Sequence, residues 1–529
     1  MPDPSELADR SMDRRGMVDR LADPGGRWDV LIVGGGATGL GVAVDAASRG
    51  YRTALVERGD FGQATSSRST KLVHGGVRYL QQGNISLVVD ALRERGRLLE
   101  NAPHLVSKLR FLIPNHAWWE APYYGAGLKS YDLLAGARSF GASGHLARRE
   151  ALEAIPTLKA NGLRGAIAYF DGQFDDARLI VNLAQTAAEQ GAVIANHVRV
   201  HQLMKDGAGA IVGAAAVDAE TGRELRIHAR VVINATGPFA DGLRVADRPA
   251  ARPIIAPSQG SHIVLPRRFL PGDSALMVPR TRDGRVLFAI PWHDHVVVGT
   301  TDTALDRVPD EPSPLREEVD FLLETAAGYL SPEPGRADIL SAWAGIRPLV
   351  RTSGRTTASL SRDHHLEAST SGLLTICGGK WTTYRRMAED TVDRAALIGR
   401  LPKRPCRTRE LPIHGHETRN LDDALSEYGS DARAIRELIA GTPELGRLIH
   451  ANPPIAEAQV VWAARREMAR TVEDVLVRRT RLLPLDASAA LACSGRVAEI
   501  LASEIGRDEA WVQGQIEAFR RVGEAARVV

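Results

Sequence analysis

The chain has 529 residues, 44% of them hydrophobic and 25% charged, and its 67 basic against 64 acidic side chains leave a formal net charge of +3. That length exceeds what one hydrophobic core usually serves, so two or three domains are expected, and the composition excludes a disordered or collagen-like chain. So balanced a charge predicts no polyanionic partner. Cys377, Cys406 and Cys493 are few, odd in number and far apart, which suits buried thiols in a reducing compartment and fits neither a disulfide framework nor a zinc site.

The first 27 residues carry Asp and Arg without an apolar h-region, and no run of about 18 apolar residues occurs anywhere, so neither secretion nor a membrane span is expected. The first ordered unit is "WDVLIVGGGATGLGVAVDAASRGYRTALVER". "DVLIV" is a β-branched run suited to a buried parallel strand, "ATGLGVAVDAASR" is a helix rich in small residues, and Gly50 ends it. Between strand and helix, Gly34, Gly36 and Gly39 form G-x-G-x-x-G, whose missing side chains permit a tight turn, close approach of a pyrophosphate and close helix–sheet packing. The second strand, "RTALVE", ends at Glu57, where a carboxylate accepts hydrogen bonds from a ribose diol and repels a 2′-phosphate, which argues against NADP. Glycine turns also arise for packing alone, but strand, turn, helix, strand and terminal carboxylate in one unit favour dinucleotide binding.

"STKLVHGGVRYL", residues 69 to 80, then sets Lys71, His74 and Arg78 in one short stretch with no acidic residue among them. In "AWWEAPYYGAGLKSYDLL", the rings of Trp118, Trp119, Tyr123, Tyr124 and Tyr131, followed by Arg138, Arg148 and Arg149, suit a bilayer interface or a quinone-lined groove, and packing inside a domain is the other reading. "DDARLIVNLAQTAAEQG" predicts an amphipathic helix capped by Asp175. "RVVINATGPFADGL" is a strand ending in Ala235, Thr236 and Gly237, a pattern found in FAD proteins and equally in ordinary turns. "SHIVLP", "RVLFAIP" and "HVVVGTT" predict an antiparallel sheet, "TTYRRMAEDTVDRAAL" a helix beginning near Thr382, and "LPKRPCRTRELP" a linker, after which helical periodicity continues to the end.

Seven stretches, "ATSSRSTKLVHGGVRYL", "GSHIVLP", "VVVGTTDT", "AGIRPL", "SRDHHL", "GGKWTTYRRMAED" and "EMARTVEDVLVRRTRLL", follow one another between about residues 28 and 485. In them the chain resembles the FAD-dependent, aerobic-type glycerol-3-phosphate dehydrogenase family. The resemblance implies an α/β fold in which a DAO-type, Rossmann-like FAD-binding domain (28–106, 174–250 and 340–400) is interrupted by an antiparallel-sheet substrate domain (107–173 and 251–339), with a helical C-terminal cap (405–529). It implies FAD contacts at Gly34, Gly36, Gly39, Glu57, Thr65, Ser66, Ser69, Ala235, Thr236, Gly237, Gly379, Lys380 and Thr382, and substrate contacts at Arg78, Tyr79, Arg347, Arg362 and Lys380.

Oxidising a phosphorylated alcohol calls for cations on the phosphate, a base for the hydroxyl proton and a flavin to take the hydride. Guanidinium forks suit a phosphate bidentately and lysine adds a point charge; each such residue alone is more often a solvated surface cation, so the argument is their joint occurrence. Among bases, His262 is favoured, because imidazole takes up a proton near neutral pH, and His74, beside a glycine pair, is its rival. Lys380, with the helix beginning near Thr382, is expected to stabilise negative charge on the reduced ring.

The expected reaction takes sn-glycerol 3-phosphate to dihydroxyacetone phosphate, with electrons passing to a quinone. Oxygen as acceptor, or a hydroxy or amino acid as substrate, is the alternative within the same architecture. No metal is expected. Interleaved acidic residues leave no basic stripe for nucleic acid. The expected location is the cytoplasm, with peripheral contact at the cytoplasmic membrane, and the oligomeric state is open, a homodimer included.

Overall fold

The computed structural model describes residues 12–23, 25–76, 85–351, 364–418 and 423–528. "DVLIV" lies within the strand Arg27–Val33, buried from Val30 to Val33. It sits inside an eight-stranded sheet whose main path runs His364–Ala368, Leu374–Gly378, Glu224–Asn234, Arg27–Val33, Thr53–Val56, Val193–Ala195. Along this path the three inner junctions and the outer one to Val193–Ala195 follow the rule for buried sheets: Arg27–Val33 is parallel to both Glu224–Asn234 and Thr53–Val56, and on the path only the edge strand His364–Ala368 runs antiparallel to its neighbour, while Val198–Lys205 and Ile211–Asp218 add antiparallel pairings beside Glu224–Asn234. Helix Ala37–Ser48 packs on this sheet between helices Tyr384–Ile398 and Asp176–Glu189.

The second sheet has ten strands. Ile255–Pro266, His295–Gly299, Leu287–Trp292 and Ser274–Val278 are antiparallel neighbours, as the alternating pattern predicts. Ser274–Val278, however, pairs in parallel with Val106–Asn115, so the sheet is mixed rather than antiparallel throughout. The reason is topological: these two strands come from distant segments, and without a hairpin between them nothing forces opposite directions. The short strand Leu72–Val73 also joins this sheet, pairing with Gly165–Phe174, and Ser341–Val350 joins it along Ile255–Pro266. The chain passes from the first sheet to the second at the former place and leaves the second for the first after the latter, bringing residues 65–76 and 345–350 to the line where the sheets meet.

The C-terminal region is helical in the main, with Asp431–Gly441, Glu457–Arg466, Ala487–Ile505 and Glu509–Ala526 around a core that includes Val460, Leu476, Leu501 and Phe519. It also holds a π-helical turn, Asp474–Arg479, and the strand pair Leu448–Ala451 and Pro454–Ala456.

Helix Asp176–Glu189 has the predicted cap, Asp175, whose Oδ1 accepts from the Arg178 N–H at 2.9 Å. It is not amphipathic in its surroundings: every residue from Asp176 to Ala188 is buried. Its apolar face meets the first sheet, and the polar face that sequence periodicity assigns to water is covered by the C-terminal domain, where Arg178 bonds Glu467 (Nη1 to Oε2, 3.0 Å) and lies over the Tyr428 ring. The carboxylates at its start reach three parts of the chain. Asp175 meets Arg481 Nε at 2.9 Å and His293 Nε2 at 3.1 Å. Asp176 meets Lys71 Nζ at 2.7 Å and accepts from the Ser69 N–H and hydroxyl at 3.0 and 2.7 Å. Burial works against ionising both; Arg481 and His293 outweigh it and hold Asp175 below the usual carboxylate range, whereas burial prevails over Lys71 and raises Asp176.

Lys71 thus has an acidic partner that no local reading of "STKLVHGG" supplies. Lys71 and Asp176 are both almost wholly excluded from water, so removing one strands the other's charge. Asp176→Ala is expected to destabilise the fold by about 3–5 kcal/mol in urea unfolding, and an unchanged midpoint would contradict a structural role for the pair.

Candidate functional site

A cavity of about 420 Å³ opens at the C-terminal ends of Arg27–Val33 and Glu224–Asn234, where Gly34, Gly36, Ala235, Thr236 and Gly237 form its floor. Gly34 has φ +112°, and a side chain there would press its Cβ to 2.6 Å from the Ala235 carbonyl oxygen. A Cβ on Gly39 would fall 1.9 Å from the Gly34 oxygen, so the turn closes only with glycine at both positions. Gly36 stands at the N-cap of helix Ala37–Ser48 without a side-chain cap, and the Ser66 hydroxyl takes that place by accepting from the Ala37 N–H at 2.9 Å.

Glu57 closes one wall. Its Oε2 accepts from the Gly35 N–H at 2.6 Å and its Oε1 from the Gly59 N–H at 2.9 Å, and a carboxylate with about four acceptor sites keeps capacity for a diol. A glycine turn, a helix N-terminus and a fixed carboxylate at the next strand end together fit an ADP-ribityl moiety. Lys380 and Gly379 line the same cavity, as does Thr65, whose hydroxyl donates to the Ile346 carbonyl at 2.6 Å. Arg58, over the Phe239 ring at 4.0 Å, and the segment around Asp310, held by Arg58 at 3.2 Å, complete it. Neither carries a local sequence signal, because the contact joins residues far apart in the chain.

A second cavity, about 360 Å³, adjoins the first and shares Thr65, Arg68, Ile346, Gly379, Lys380 and Trp381 with it. Here the fold brings together His74, His262, Arg347, Lys380 and Thr382. Ser69 also faces this second cavity rather than the first, and its hydroxyl is donated to Asp176. Arg78, Tyr79 and Arg362 lie outside the described residues.

His262, on Ile255–Pro266, stacks on Trp343 with ring centroids 4.0 Å apart, and its Nε2 is 2.9 Å from the Thr70 hydroxyl. Burial, with Arg347 and Lys71 adding like charge, pushes its pKa well below the ordinary 6.5, so the ring is neutral. His74 is tied through its backbone: its N–H donates to Thr382 Oγ1 and its carbonyl accepts from the same hydroxyl, each at 3.2 Å. Arg347 donates from Nη2 to Thr300 Oγ1 and the Thr301 carbonyl, both at 2.9 Å, and from Nη1 to the Gln259 carbonyl at 3.2 Å. Its guanidinium occupies space that a side chain on Gly260 would block, since a Cβ there would lie 2.3 Å from Nη2. Sequence reasoning gave no role to Arg68, Thr70, Arg285 and Asp302, which line the same cavity; the available signals were that Arg68, Thr70 and Asp302 lie in stretches that carry the family resemblance and that Arg285 starts a predicted strand.

The aromatic cluster divides. Trp118, Trp119, Tyr123 and Leu133 are 77%, 49%, 55% and 85% exposed on and just before helix Glu120–Ala135. Tyr131, on the opposite side, is buried, accepting from the Gly75 N–H at 3.0 Å and donating to Asp171 at 2.9 Å. Among the described residues no helix is long and apolar enough to cross a membrane.

The profile of a family described as FAD dependent oxidoreductase matches residues 29–385, and that of the C-terminal domain of alpha-glycerophosphate oxidase matches 369–512. A mitochondrial glycerol-3-phosphate dehydrogenase of Homo sapiens is 42% identical, over 93% of this chain and 73% of its own, and one of Arabidopsis thaliana 43%, over 90% and 82%. The crystal structure of glycerol-3-phosphate dehydrogenase from Bacillus halodurans, complexed with FAD, superposes with TM-score 0.80 at 29% identity, covering 98% of this chain and 99% of that one. An L-alpha-glycerophosphate oxidase from Mycoplasma pneumoniae, 19% identical with TM-score 0.56 over 73% of this chain and 99% of its own, shares the fold.

Proposed function

From a chain that belongs to the FAD-dependent glycerol-3-phosphate dehydrogenase family, we propose oxidation of sn-glycerol 3-phosphate to dihydroxyacetone phosphate where the two cavities meet. The observation that carries the reading is the convergence of neutral His262, Arg347 and Lys380 on one cavity that adjoins the dinucleotide cradle. The Gly34–Gly39 turn and Glu57 would hold FAD, which when bound would supply an electrophilic ring able to take a hydride from C2 of the substrate. Arg347 and Lys380 hold the phosphate, together with Arg78, Tyr79 and Arg362.

His262 Nε2 receives the proton of the C2 hydroxyl, directly or through the Thr70 hydroxyl beside it. Its depressed pKa keeps the ring neutral at neutral pH, so that Nε2 can accept a proton in the tautomer with hydrogen on Nδ1, and the stack on Trp343 fixes its orientation. Lys380 and the N-terminal end of Tyr384–Ile398, entered through the Trp381–Thr383 turn, would stabilise negative charge on the reduced ring when FAD is bound.

Arg347→Ala and Lys380→Ala should each lower kcat/KM for glycerol 3-phosphate, relative to glycerol, by about 1.5–3 kcal/mol; unchanged kinetics in both would remove this subsite. His262→Ala should slow flavin reduction. A base with a lowered pKa stays deprotonated until pH falls through that lowered value, so its acid limb belongs well below 6.5. A limb at or above 6.5 that disappears in His262→Ala would contradict the assignment.

The electron acceptor in this reading is a membrane quinone, reached by peripheral docking of a cytoplasmic protein. The exposed Trp118, Trp119, Tyr123 and Leu133 support it, since amphipathic rings favour the interfacial zone. Arg138 and Arg149 nearby are paired with Glu100 and Glu153, so the rings rather than net charge carry the attraction. Co-sedimentation with liposomes should be strong for the wild type, change little with salt, and be lost when Trp118 and Trp119 are both changed to Ser. Equal partition of the two proteins would sink the docking surface.

A further inference from the structure

We propose that Arg285 is a second guanidinium of the phosphate subsite and that Asp302 is a built-in carboxylate with which the substrate's phosphate competes for it. The inference rests on the reading of the second cavity as the glycerol 3-phosphate site. Arg285, Asp302 and Arg347 all line that cavity. Asp302 stands between the two arginines: its Oδ2 is 3.4 Å from Arg285 Nη1 and its Oδ1 3.6 Å from Arg347 Nη1. Both separations exceed a strong charge-assisted hydrogen bond, so one carboxylate is shared loosely by two forks and is bidentate with neither.

Backbone contacts hold the geometry. Arg285 ends a turn closed by the Thr281 N–H donating to its carbonyl at 2.8 Å, and its Nη1 donates to the Asp302 carbonyl at 2.6 Å. Asp302 accepts from the Ser258 hydroxyl, and its neighbours Thr301 and Thr303 both donate to Glu318 Oε1, at 2.8 and 2.6 Å. The arginines are thus set by groups that stay in place when their carboxylate partner is exchanged.

A guanidinium fork accepts a carboxylate and a phosphate through the same two-oxygen edge. A phosphomonoester brings a charge of about −1.5 to −2 and three acceptor oxygens, enough to bridge both forks, whereas a monoanionic carboxylate ligand has no more charge than Asp302 itself. Asp302 therefore sets a threshold that a phosphate passes and a hydroxy-acid or amino-acid carboxylate does not, which makes Arg285 and Asp302 determinants of substrate class.

Titration calorimetry of the FAD-loaded protein with inorganic phosphate, and separately with acetate, tests this. Arg285→Met should weaken phosphate about tenfold or more, and Asp302→Asn should tighten it several-fold while narrowing the preference for phosphate over acetate. Because the second variant predicts a gain, misfolding does not imitate it. Phosphate binding that is unchanged in Arg285→Met but weakened in Arg347→Ala would overturn this inference and leave the substrate reading standing. Unchanged or weaker phosphate binding in Asp302→Asn would overturn the competition, and phosphate binding indifferent to both arginines would overturn the substrate reading with it.

Discussion

Two adjacent buried carboxylates, Asp175 and Asp176, set the mutual placement of the three parts of this chain. Asp175 caps a helix of the first body while meeting His293 of the second sheet and Arg481 of the C-terminal domain. Asp176 grips Ser69 and Lys71, where the chain leaves the first body to enter the second sheet. Buried ion pairs add little net stability over apolar packing but are costly to break, so their effect is to make other arrangements of the parts unfavourable. A parallel clamp acts nearby, where Asp60 takes Arg478 and Arg479 of the C-terminal domain. Among the described residues, none from the C-terminal domain lines either cavity, so its part is to fix the frame that the site depends on.

That frame explains the electrostatics of the site. Lys71 is neutralised by Asp176 yet still helps depress His262, and Arg347 does so more strongly. Burial against Trp343 does most to keep the proposed base neutral, and the cations that suit a phosphate add to the effect. A low pKa makes a weaker base in general, but the same positive field stabilises an alkoxide forming at the substrate hydroxyl, so the two shifts act together. The segment 69–76 is thus a structural splice as well as a cavity wall: Ser69 and Lys71 anchor it and His74, through Thr382, ties it to the helix that follows Lys380.

Local patterns in the chain foretell local structure well. The Gly34–Gly39 turn, Glu57 after the second strand, the Asp175 cap and the strands at 255–266, 287–292 and 295–299 all follow from spacing and turn chemistry, because a few neighbouring residues decide them. His262, Arg347 and Lys380 were legible only by resemblance; nothing local says that three residues so far apart share one cavity. What escaped the sequence was long-range. Asp176 as the partner of Lys71, the burial of the polar face of Asp176–Glu189, the parallel seam at Ser274–Val278 and the inward turn of Tyr131 each depend on a neighbour brought from elsewhere by the fold. The joint role of Arg285 and Asp302 escaped for the same reason, since an arginine and an aspartate beside strand ends look solvated until the cavity they share is seen.

The central claim is that the two cavities form one site in which a phosphorylated secondary alcohol gives its hydride to FAD. Mixing the purified flavoprotein with glycerol 3-phosphate in the absence of oxygen, and following the visible flavin absorbance, tests it most directly. The account predicts rapid bleaching by glycerol 3-phosphate, with dihydroxyacetone phosphate formed in equal amount, and none by 2-hydroxyglutarate. A flavin that stays oxidised with glycerol 3-phosphate, or that is bleached by 2-hydroxyglutarate instead, would contradict it.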